Sequence, residues 1–353
     1  MRLALIGIDH GHARAYQETL LSLGDRVEIV GLWGPRREGL VRATHPRLAG
    51  VPVYDTLDQL IDGARPQAVM SFLHNDESGP VLQTLARAGI HIWAEKPVAR
   101  RAAELGPTRE ALNARGLVFA TGYTHRFAPV HRQLKQWIDE GVLGPLTGAT
   151  ALKATSSVAA RGPTSYLFDD EISGGGILHW LGCHWIDLFL HFFAQPVVAV
   201  TALTGNLSGE PIDVEDVAAV SLRFAGGALV SIHAGYLTPR GEAAGDSALR
   251  LYGRLGWAAW IVGSNTVEAF STHASWAAGP TRRLTCDAPP APGYSGVVGR
   301  RSIENFLAAA AGAEAPMFRI EEAMNVLAVV EAAYESARSG RVVEPDWRTN
   351  PSR

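Results

Sequence analysis

The chain has 353 residues, of which 47% are hydrophobic and 19% are charged. This composition excludes a disordered protein, and the length leaves room for two domains. The net charge of −3 gives no electrostatic case for binding nucleic acid or an anionic membrane. The only cysteines, Cys183 and Cys286, predict no disulfide framework, and no apolar run is long enough to span a bilayer. We therefore expect a cytoplasmic protein.

The first third of the sequence alternates strand and helix patterns. Apolar runs predict strands at 2–6, 27–33, 68–73, 90–94 and 117–121, and helical patterns fall at 13–23, 57–63, 80–88 and 104–113. Such alternation is typical of a parallel sheet with crossover helices. We predict a Rossmann-type, doubly wound α/β domain over residues 1–122, with a dinucleotide site at its first turn.

That first turn reads Gly7-Ile8-Asp9-His10-Gly11-His12. The dinucleotide fingerprint Gly-x-Gly-x-x-Gly would fall on Gly7, Asp9 and His12, so only its first glycine is in place, and Gly11 is displaced by one residue. Asp9 would bring a carboxylate near the pyrophosphate, which costs energy unless the side chain points away or pairs. His10 and His12 could donate to phosphate. We predict that these five polar and glycine positions contact the cofactor.

The second strand ends in Leu32-Trp33-Gly34-Pro35-Arg36-Arg37. An acidic residue is expected there to accept from the adenosine ribose, and none is present. The two arginines would accommodate a 2′-phosphate instead. This pattern favours NADP over NAD, with Gly34, Arg36 and Arg37 at the cofactor. The alternative is that both arginines are only the solvated start of a helix.

The segment Ala94-Glu95-Lys96-Pro97 follows an apolar run that ends the predicted fourth strand. Pro97 has no N–H to donate, so it ends the strand and holds Lys96 at the carboxyl end of the sheet. Open α/β sheets bind ligands at that end, where a lysine can exchange a proton with a substrate. The alternative is an ordinary lysine at a strand end, facing water.

The second part of the chain shows strands without helices between them. After a predicted helix at 130–141, strand patterns fall at 146–156, 197–203, 217–223, 228–236, 249–253 and 258–262. This order predicts an α+β domain with a large, mainly antiparallel sheet. We assign it residues 123–340, including a late helix at 320–339 that packs back towards the first domain, and regard 341–353 as a tail.

A predicted helix at 177–193 follows Gly174-Gly175-Gly176, glycines that let the backbone approach closely and leave N–H groups free. Trp180, His184, Asp187 and His191 follow at spacings of four, three and four, which places them on one helix face. Asp187 could orient His184 as a base, or the pair could simply be a satisfied core histidine. The last three would span about 10 Å along a helix, too far to share one ion, so we predict no metal.

Several segments, in this order and spacing, resemble the glucose–fructose oxidoreductase and inositol dehydrogenase (Gfo/Idh/MocA) family over nearly the whole chain. They include Glu95-Lys96-Pro97, the run from Gly122 to Pro129, the glycine-rich run from Gly174 to Asp187, and Val214-Glu215-Asp216. Two departures from the family lie close together. Its Thr-Pro-Asn turn matches only at Asn75, and the histidine that follows this turn falls on Ser78.

The resemblance implies roles for particular residues. Cofactor contacts would include Leu73, His74, Asn75, Glu95, Lys96 and Pro97, and the catalytic residues would be Lys96 and His184, which flank the reacting carbon in related dehydrogenases. The aspartate usually found four residues before the histidine is Trp180 here, so acid–base chemistry would rest on the other two. The indole of Trp180 offers an apolar face to a sugar ring. Substrate contacts would be Lys96, Tyr123, Arg126, Tyr166, Trp180 and His184.

These features predict an NAD(P)-dependent oxidoreductase that acts on the CH–OH group of a sugar, polyol or related hydroxy compound. The resemblance implies a homodimer or homotetramer. One alternative is a non-catalytic sensor of nucleotide or sugar, because Asp9, His12, Gly34 and Trp180 all depart from functional positions of the family. A second alternative is an NAD-dependent glycoside hydrolase that recycles its nicotinamide.

Overall fold

The computed structural model describes residues 1–238, 246–261 and 263–347. These residues form two compact units. The first comprises Met1–Phe127 with Pro289–Met324, and the second comprises Ala128–Ala288 with residues 325–347. Within the described ranges, the helices are too short or too polar to cross a bilayer.

The first unit contains a parallel sheet, which has five strands among the described residues, in the order β2-β1-β3-β4-β5. The strands are β1 (Arg2–Ile6), β2 (Glu28–Trp33), β3 (Ala68–Ser71), β4 (His91–Ala94) and β5 (Phe119–Thr121). From Leu3 onwards every residue of β1 is completely buried, because helices cover a parallel sheet on both faces. The predicted Rossmann-type sheet is confirmed.

Five helices connect these strands in the described chain. They are α1 (Ala13–Leu21), α2 (Arg37–Ala43), α3 (Leu57–Ala64), α4 (Asn75–Arg87) and α5 (Gly106–Arg115). Thr56 starts α3 by accepting a hydrogen bond from the N–H of Gln59, as an N-cap residue does. The helix α4 begins five residues before the predicted start at Pro80, which lies inside the helix. The loops that leave β1, β2, β3 and β4 at the carboxyl edge of the sheet carry the predicted cofactor residues.

The second unit contains a sheet of eight described strands in the order β13-β12-β11-β10-β6-β9-β8-β7. They are β6 (Leu146–Ser156), β7 (Val197–Gly205), β8 (Val217–Phe224), β9 (Leu229–Thr238), β10 (Asp246–Gly253), β11 (Gly256–Trp260), β12 (Thr266–Ser271) and β13 (Thr281–Thr285). Neighbouring strands are antiparallel except for β6 and β9. In β8 buried and exposed side chains alternate, as expected where one face meets the core and the other faces water. The predicted antiparallel sheet is confirmed.

The helices of the second unit are α6 (Pro129–Asp139), α7 (Val158–Arg161), α8 (Asp170–Ser173) and α9 (Cys183–Phe193). His131 of α6 lies edge-on to Trp185 of α9 and to Trp260 of β11, with ring centroids 6.1 and 5.7 Å apart. Aromatic packing of this kind joins both helices to the buried face of the sheet.

The predicted helix at 177–193 is not a uniform α-helix. Leu178–Gly182 form a π-helical turn, and α9 begins only at Cys183. A π turn holds more residues than an α turn, so the α-helical spacing used to align Trp180 with His184 does not apply across it. The uniform α-helical spacing assumed for Trp180, His184, Asp187 and His191 therefore applies from Cys183 onwards but not across the π turn.

Residues 289–324 lie in the first unit, although the sequence pattern suggested that they belong to a second domain of 123–340. They contain α10 (Val297–Ala310) and the start of α11 (Ile320–Ser339). Ile303, Phe306 and Leu307 of α10 are buried in the same hydrophobic core as Leu3 and Tyr16. The helix α10 and the strands β12 and β13 were not predicted. Val262 and the predicted tail beyond 347 lie outside the described residues.

Candidate functional site

The glycine turn after β1 is tightly packed at its first residue. Gly7 has φ +64°, and its N–H donates to the carbonyl oxygen of Trp33 over 2.9 Å. A Cβ at Gly7 would lie 2.8 Å from the backbone nitrogen of Leu73. Both observations require glycine here. At Gly11, by contrast, no heavy atom of the described residues outside the adjacent chain lies within 4 Å of the point that a Cβ would occupy.

The two histidines of this turn have different environments. The Nδ1 of His10 accepts a hydrogen bond from the N–H of His12 over 3.1 Å. Burial lowers the pKa of His10 well below its ordinary value, and the nearby His12, Lys96 and His74 lower it further. His10 is therefore a neutral imidazole that carries its proton on Nε2. The Nδ1 of His12 lies 3.2 Å from the Oε1 of Glu95, which connects the glycine turn to the Glu-Lys-Pro segment.

Glu95 and Lys96 follow β4 and are almost completely buried, with 6% and 2% of their surfaces exposed. The alternative that Lys96 is a lysine facing water is therefore wrong. The Lys96–Pro97 peptide bond is cis. Tyr16 also interacts with Glu95. Burial raises the pKa of the Tyr16 phenol most, and the negative charge of Glu95 raises it further. The lysine thus sits in a buried polar cluster at the carboxyl edge of the sheet.

Asp9 is paired with Arg36. The Nε of Arg36 lies 2.5 Å from the Oδ2 of Asp9, and its Nη1 lies 2.5 Å from the Oε1 of Glu77. Arg37, the first residue of α2, forms an exposed ion pair with Asp55. The repulsion that Asp9 would exert on a pyrophosphate is therefore compensated by a positive charge. Both arginines predicted to bind a 2′-phosphate have carboxylate partners.

A cavity of about 660 Å³ lies beside this network. Its lining consists of Asp9, Arg36, Arg37, Glu38, Gly39, Arg42 and Ala43. The third predicted cofactor loop, Leu73-His74-Asn75, leads into α4, and Asn75 is 1% exposed. Burial lowers the pKa of His74, and the charge of Arg36 lowers it further, so His74 is neutral at pH 7. Three of the predicted cofactor loops thus meet at one edge of the sheet.

This edge fits a bound dinucleotide. His12 is the N-cap residue of α1, and within the described chain its side chain makes no capping hydrogen bond to the helix. The first N–H groups of an α-helix have no partner inside the helix, and with the helix dipole they attract phosphate. The first turn of α1 has no acidic residue among those described. The open surface at Gly11 allows a ligand to approach these N–H groups.

Gly176 and the two residues after it donate their N–H groups to Glu215 rather than leaving them free. The N–H of Gly176 donates to Oε2 of Glu215 over 2.8 Å, and the N–H of Leu178 donates to Oε1 over 2.9 Å. Between them, the N–H of Ile177 donates to the main-chain carbonyl of Glu215 over 3.0 Å. The prediction of free N–H groups before this helix is therefore wrong, since they have a partner 37 to 39 residues away.

Glu215 is a residue whose role the sequence did not indicate, although it stands in a segment that resembles the family. It is also bound by the hydroxyl of Tyr334, which donates to Oε1 over 2.9 Å. Burial raises the pKa of the Glu215 carboxyl to about 7, although these hydrogen bonds oppose the shift. A buried carboxylate that accepts from two backbone N–H groups and a phenol is typical of an anchor for local structure.

The second unit brings together two of the predicted substrate residues. Trp180 is 5% exposed, and its ring centroid lies 5.9 Å from that of Tyr166 in an edge-on arrangement. His184 and Asp187 are buried on α9, at 5% and 0% exposure. Trp180 and Tyr166 thus form an edge-on aromatic pair in the second unit.

Tyr123 and Arg126, two other predicted substrate residues, lie in the first unit. The Nη1 of Arg126 is 2.6 Å from the Oε1 of Glu322, and its guanidinium stacks 4.5 Å from the ring centroid of Phe318. Tyr123 is completely buried, with its ring centroid 6.4 Å from that of Phe318. The positive charge of Arg126 is thus used within the fold, in packing α11 and the segment before it.

Comparison with protein families matches both parts of the chain. Residues 1–123 match the model described as the oxidoreductase family, NAD-binding Rossmann fold. Residues 131–259 match the model of the GFO/IDH/MocA C-terminal domain. Together these matches cover most of the chain.

Curated relatives include sugar and inositol dehydrogenases. The levoglucosan dehydrogenase of Pseudarthrobacter phenanthrenivorans is 30% identical over 42% of this chain and 44% of that protein. The myo-inositol 2-dehydrogenase of Thermotoga maritima is 27% identical over 65% of this chain and 66% of that protein. The matched region thus covers about half to two thirds of the length of these two relatives. The D-xylose 1-dehydrogenase (NADP(+)) 2 of Haloferax volcanii is 24% identical over 84% and 86% of the two chains.

Solved structures share the fold along the full length of the chain. Levoglucosan dehydrogenase in complex with NADH and L-sorbose has a TM-score of 0.84 at 20% identity, covering 98% of each chain. The aldose–aldose oxidoreductase from Caulobacter crescentus, complexed with glycerol, has a TM-score of 0.81 at 20% identity, covering 98% and 99%. At these identities the likeness establishes the fold.

Proposed function

From the premise that this chain belongs to the Gfo/Idh/MocA family of oxidoreductases, we propose that it is an NAD(P)-dependent dehydrogenase. Its substrate is a sugar, polyol or related hydroxy compound that reacts at a CH–OH carbon. The observation that carries this proposal is the buried Lys96 at the carboxyl end of β4, next to a glycine turn that fits a dinucleotide. Relatives named as levoglucosan, inositol and xylose dehydrogenases support the substrate class.

The residues of the first unit bind the cofactor and move a proton. The turn from Gly7 to His12 and the N–H groups of α1 hold the pyrophosphate. When bound, the nicotinamide accepts or donates the hydride. Lys96 exchanges the proton of the substrate hydroxyl while the carbon changes its oxidation state. His184 in the second unit is the other proposed acid–base residue, and Trp180 with Tyr166 provides an apolar surface for the sugar ring.

We further propose NADP(H) as the preferred cofactor. Three guanidinium groups, on Arg36, Arg37 and Arg42, line the cavity that also holds Asp9. Arg36 is paired with two carboxylates, so Arg37 and Arg42 would carry most of the 2′-phosphate recognition. The ion pair of Arg37 is exposed, and exposed pairs are worth about 0–1 kcal/mol, so a phosphate can displace the partner carboxylate. Fluorescence titration with NADPH and NADH measures this preference directly.

The test of the dehydrogenase proposal is the variant Lys96→Met. Turnover of a panel of myo-inositol, levoglucosan and D-xylose with NAD or NADP should be lost, while the dissociation constants of NADH and NADPH stay within about threefold. Lys135→Met is the matched control, because Lys135 pairs with Asp139 on the surface of α6 and should leave turnover unchanged. Full activity of the Lys96 variant would remove this lysine from the mechanism. Failure of the unaltered protein to bind either dinucleotide would contradict the proposal as a whole.

We also propose that copies of the chain associate through the exposed face of the sheet of the second unit. Leu203 and Leu229 project from this face with 75% and 58% of their surfaces exposed, and Val342 lies beside it with 66% exposed. Large exposed apolar side chains are often covered by a partner. Light scattering after gel filtration should give a dimer or tetramer, and a monomer would exclude this association.

A cytoplasmic location is the remaining part of the proposal. Cys183 and Cys286 both carry thiols and are not joined in a disulfide, and Cys183 is buried. Cysteines that stay reduced suit a reducing compartment. Cell fractionation with an antibody against the chain tests the location.

A further inference from the structure

Glu215 satisfies three consecutive backbone donors at the beginning of a functional helix. Its Oε2, its main-chain carbonyl and its Oε1 accept from the N–H groups of Gly176, Ile177 and Leu178 over 2.8, 3.0 and 2.9 Å. The first N–H groups of a helix need partners from outside it, usually an N-cap residue next to the helix. Here a single residue of a distant segment supplies all three.

Two of the glycines allow a contact too close for any side chain. A Cβ at Gly176 would lie 1.8 Å from the carbonyl oxygen of Glu215, and a Cβ at Gly175 would lie 2.1 Å from the hydroxyl of Tyr334. Tyr334 itself donates to the Glu215 carboxylate over 2.9 Å. The turn is therefore held between a carboxylate and a phenol at van der Waals distance, with no room for any side chain.

This turn leads directly to the two residues of interest. The N–H of Trp180 donates to the carbonyl of Gly176 over 3.0 Å, so Trp180 is one hydrogen bond away from the anchored segment. His184 is the second residue of α9, which continues from the π turn. The orientation of side chains on a helix follows from the position of its first turn, because the backbone is rigid beyond it.

We propose that Glu215, supported by Tyr334, is a positioning residue: it fixes the glycine turn and so sets the orientations of Trp180 and His184. This inference rests on the proposed dehydrogenase function for its effect on turnover. Glu215 does not act on substrate or cofactor itself. Its effect should therefore appear in the order of the turn and in kcat, and should leave dinucleotide binding in the first unit unchanged.

The experiment compares Glu215→Gln and Tyr334→Phe with the unaltered chain. In Glu215→Gln an amide NH₂ replaces one of the acceptors, and in Tyr334→Phe one donor is removed while the ring remains. Hydrogen exchange followed by mass spectrometry should show at least tenfold faster exchange at Gly176 to Leu178 in both variants. On the best substrate of the panel, kcat should fall at least tenfold, while the dissociation constant of NADH changes less than twofold.

Asp216→Asn is the matched control. Asp216 is the adjacent carboxylate, and it accepts from the N–H groups of Leu207 and Ser208 over 2.9 and 2.6 Å. Its replacement should speed exchange at 207–208 but not at 176–178, and should leave kcat within about twofold.

Three results would overturn the inference: unchanged exchange at 176–178 in both variants, unchanged kcat despite faster exchange, or an equal loss of kcat in Asp216→Asn. If the unaltered protein neither turns over the panel nor binds NADH, the dehydrogenase proposal fails separately. In that case the hydrogen-exchange data alone test whether Glu215 fixes the glycine turn, and unchanged exchange at 176–178 still refutes this role.

Discussion

The buried carboxyl of Glu215 makes stability depend on pH in a definite direction. Burial raises its pKa from an ordinary value of 4.5 to about 7 in the folded chain. Between these two values the folded chain keeps a proton that the unfolded chain has lost. The free energy of unfolding therefore falls as pH rises through this window, and the full contribution is present only below about pH 4.5. The variant Glu215→Gln has no proton to lose and should not show this change.

The size of the effect follows from the two pKa values. They differ by about 2.5, and each unit corresponds to about 1.4 kcal/mol, so the full effect is roughly 3 kcal/mol. Over the accessible range from pH 5 to pH 8 the linkage relation gives about 2.5 kcal/mol. The phenols of Tyr334 and Tyr236, which interact electrostatically with Glu215, have pKa values raised by burial and do not titrate in this range.

Urea unfolding at 25 °C and constant ionic strength measures this difference. The free energy of unfolding of Glu215→Gln minus that of the unaltered chain should increase by about 2.5 kcal/mol between pH 5 and pH 8. The amide will also cost a hydrogen bond, but that cost is the same at each pH and cancels. Glu344→Gln, at an exposed carboxyl, is the control and should give a flat difference. A flat difference for Glu215→Gln as well would refute the reasoning.

Three further predictions concern the first unit. Gly7→Ala should lower the free energy of unfolding by at least about 2 kcal/mol and weaken NADH binding, because Gly7 has a positive φ and its Cβ would lie 2.8 Å from the backbone of Leu73. Gly11→Ala should change stability little, because the space around Gly11 is open. Urea unfolding and titration with NADH compare the two variants. Arg42→Ala should raise the dissociation constant of NADPH roughly five- to tenfold without affecting NADH, and an equal effect on both would contradict a 2′-phosphate contact. Arg126→Met should cost about 2–3 kcal/mol in urea unfolding, because Glu322 loses its buried partner, and an effect confined to KM would restore Arg126 as a substrate residue.

Local sequence patterns predicted the elements of both sheets whose side chains carry a clear periodicity. The strand β1 was predicted at its observed bounds, and β8 was predicted at 217–223, one residue short of its observed end at Phe224. The strand β13 was missed because all five of its residues are exposed, so burial imposes no alternation on it. The helix α10 was missed, and with it the return of 289–324 to the first unit. Its apolar side chains pack against residues near the beginning of the chain, which a local pattern does not reveal.

The sequence predicted those residues of the candidate site whose position depends only on their neighbours in one turn. The sequence placed Gly7 and Lys96 at strand ends, and it indicated that Asp9 either points away from the pyrophosphate or pairs; in the structure it pairs with Arg36. Glu215 was not identified, since its backbone partners are 37 to 39 residues away and nothing in the glycine run indicates which residue accepts from them. The prediction of one uniform α-helix over 177–193 failed because it assumed 3.6 residues per turn through a π turn.

The π turn at Leu178–Gly182 also means that the angle between the side chains of Trp180 and His184 depends on the number of residues in this turn. It accommodates more residues than an α turn, and a π-bulge can return to α geometry when a residue is lost. Deletion of Gly182 would place Trp180 three positions before the histidine instead of four, so the angle between the two side chains about the helix axis would change. Trp180 would then point in a new direction while His184 kept its own. A single codon in this segment could therefore redirect the surface offered to a ring while the histidine stays in place.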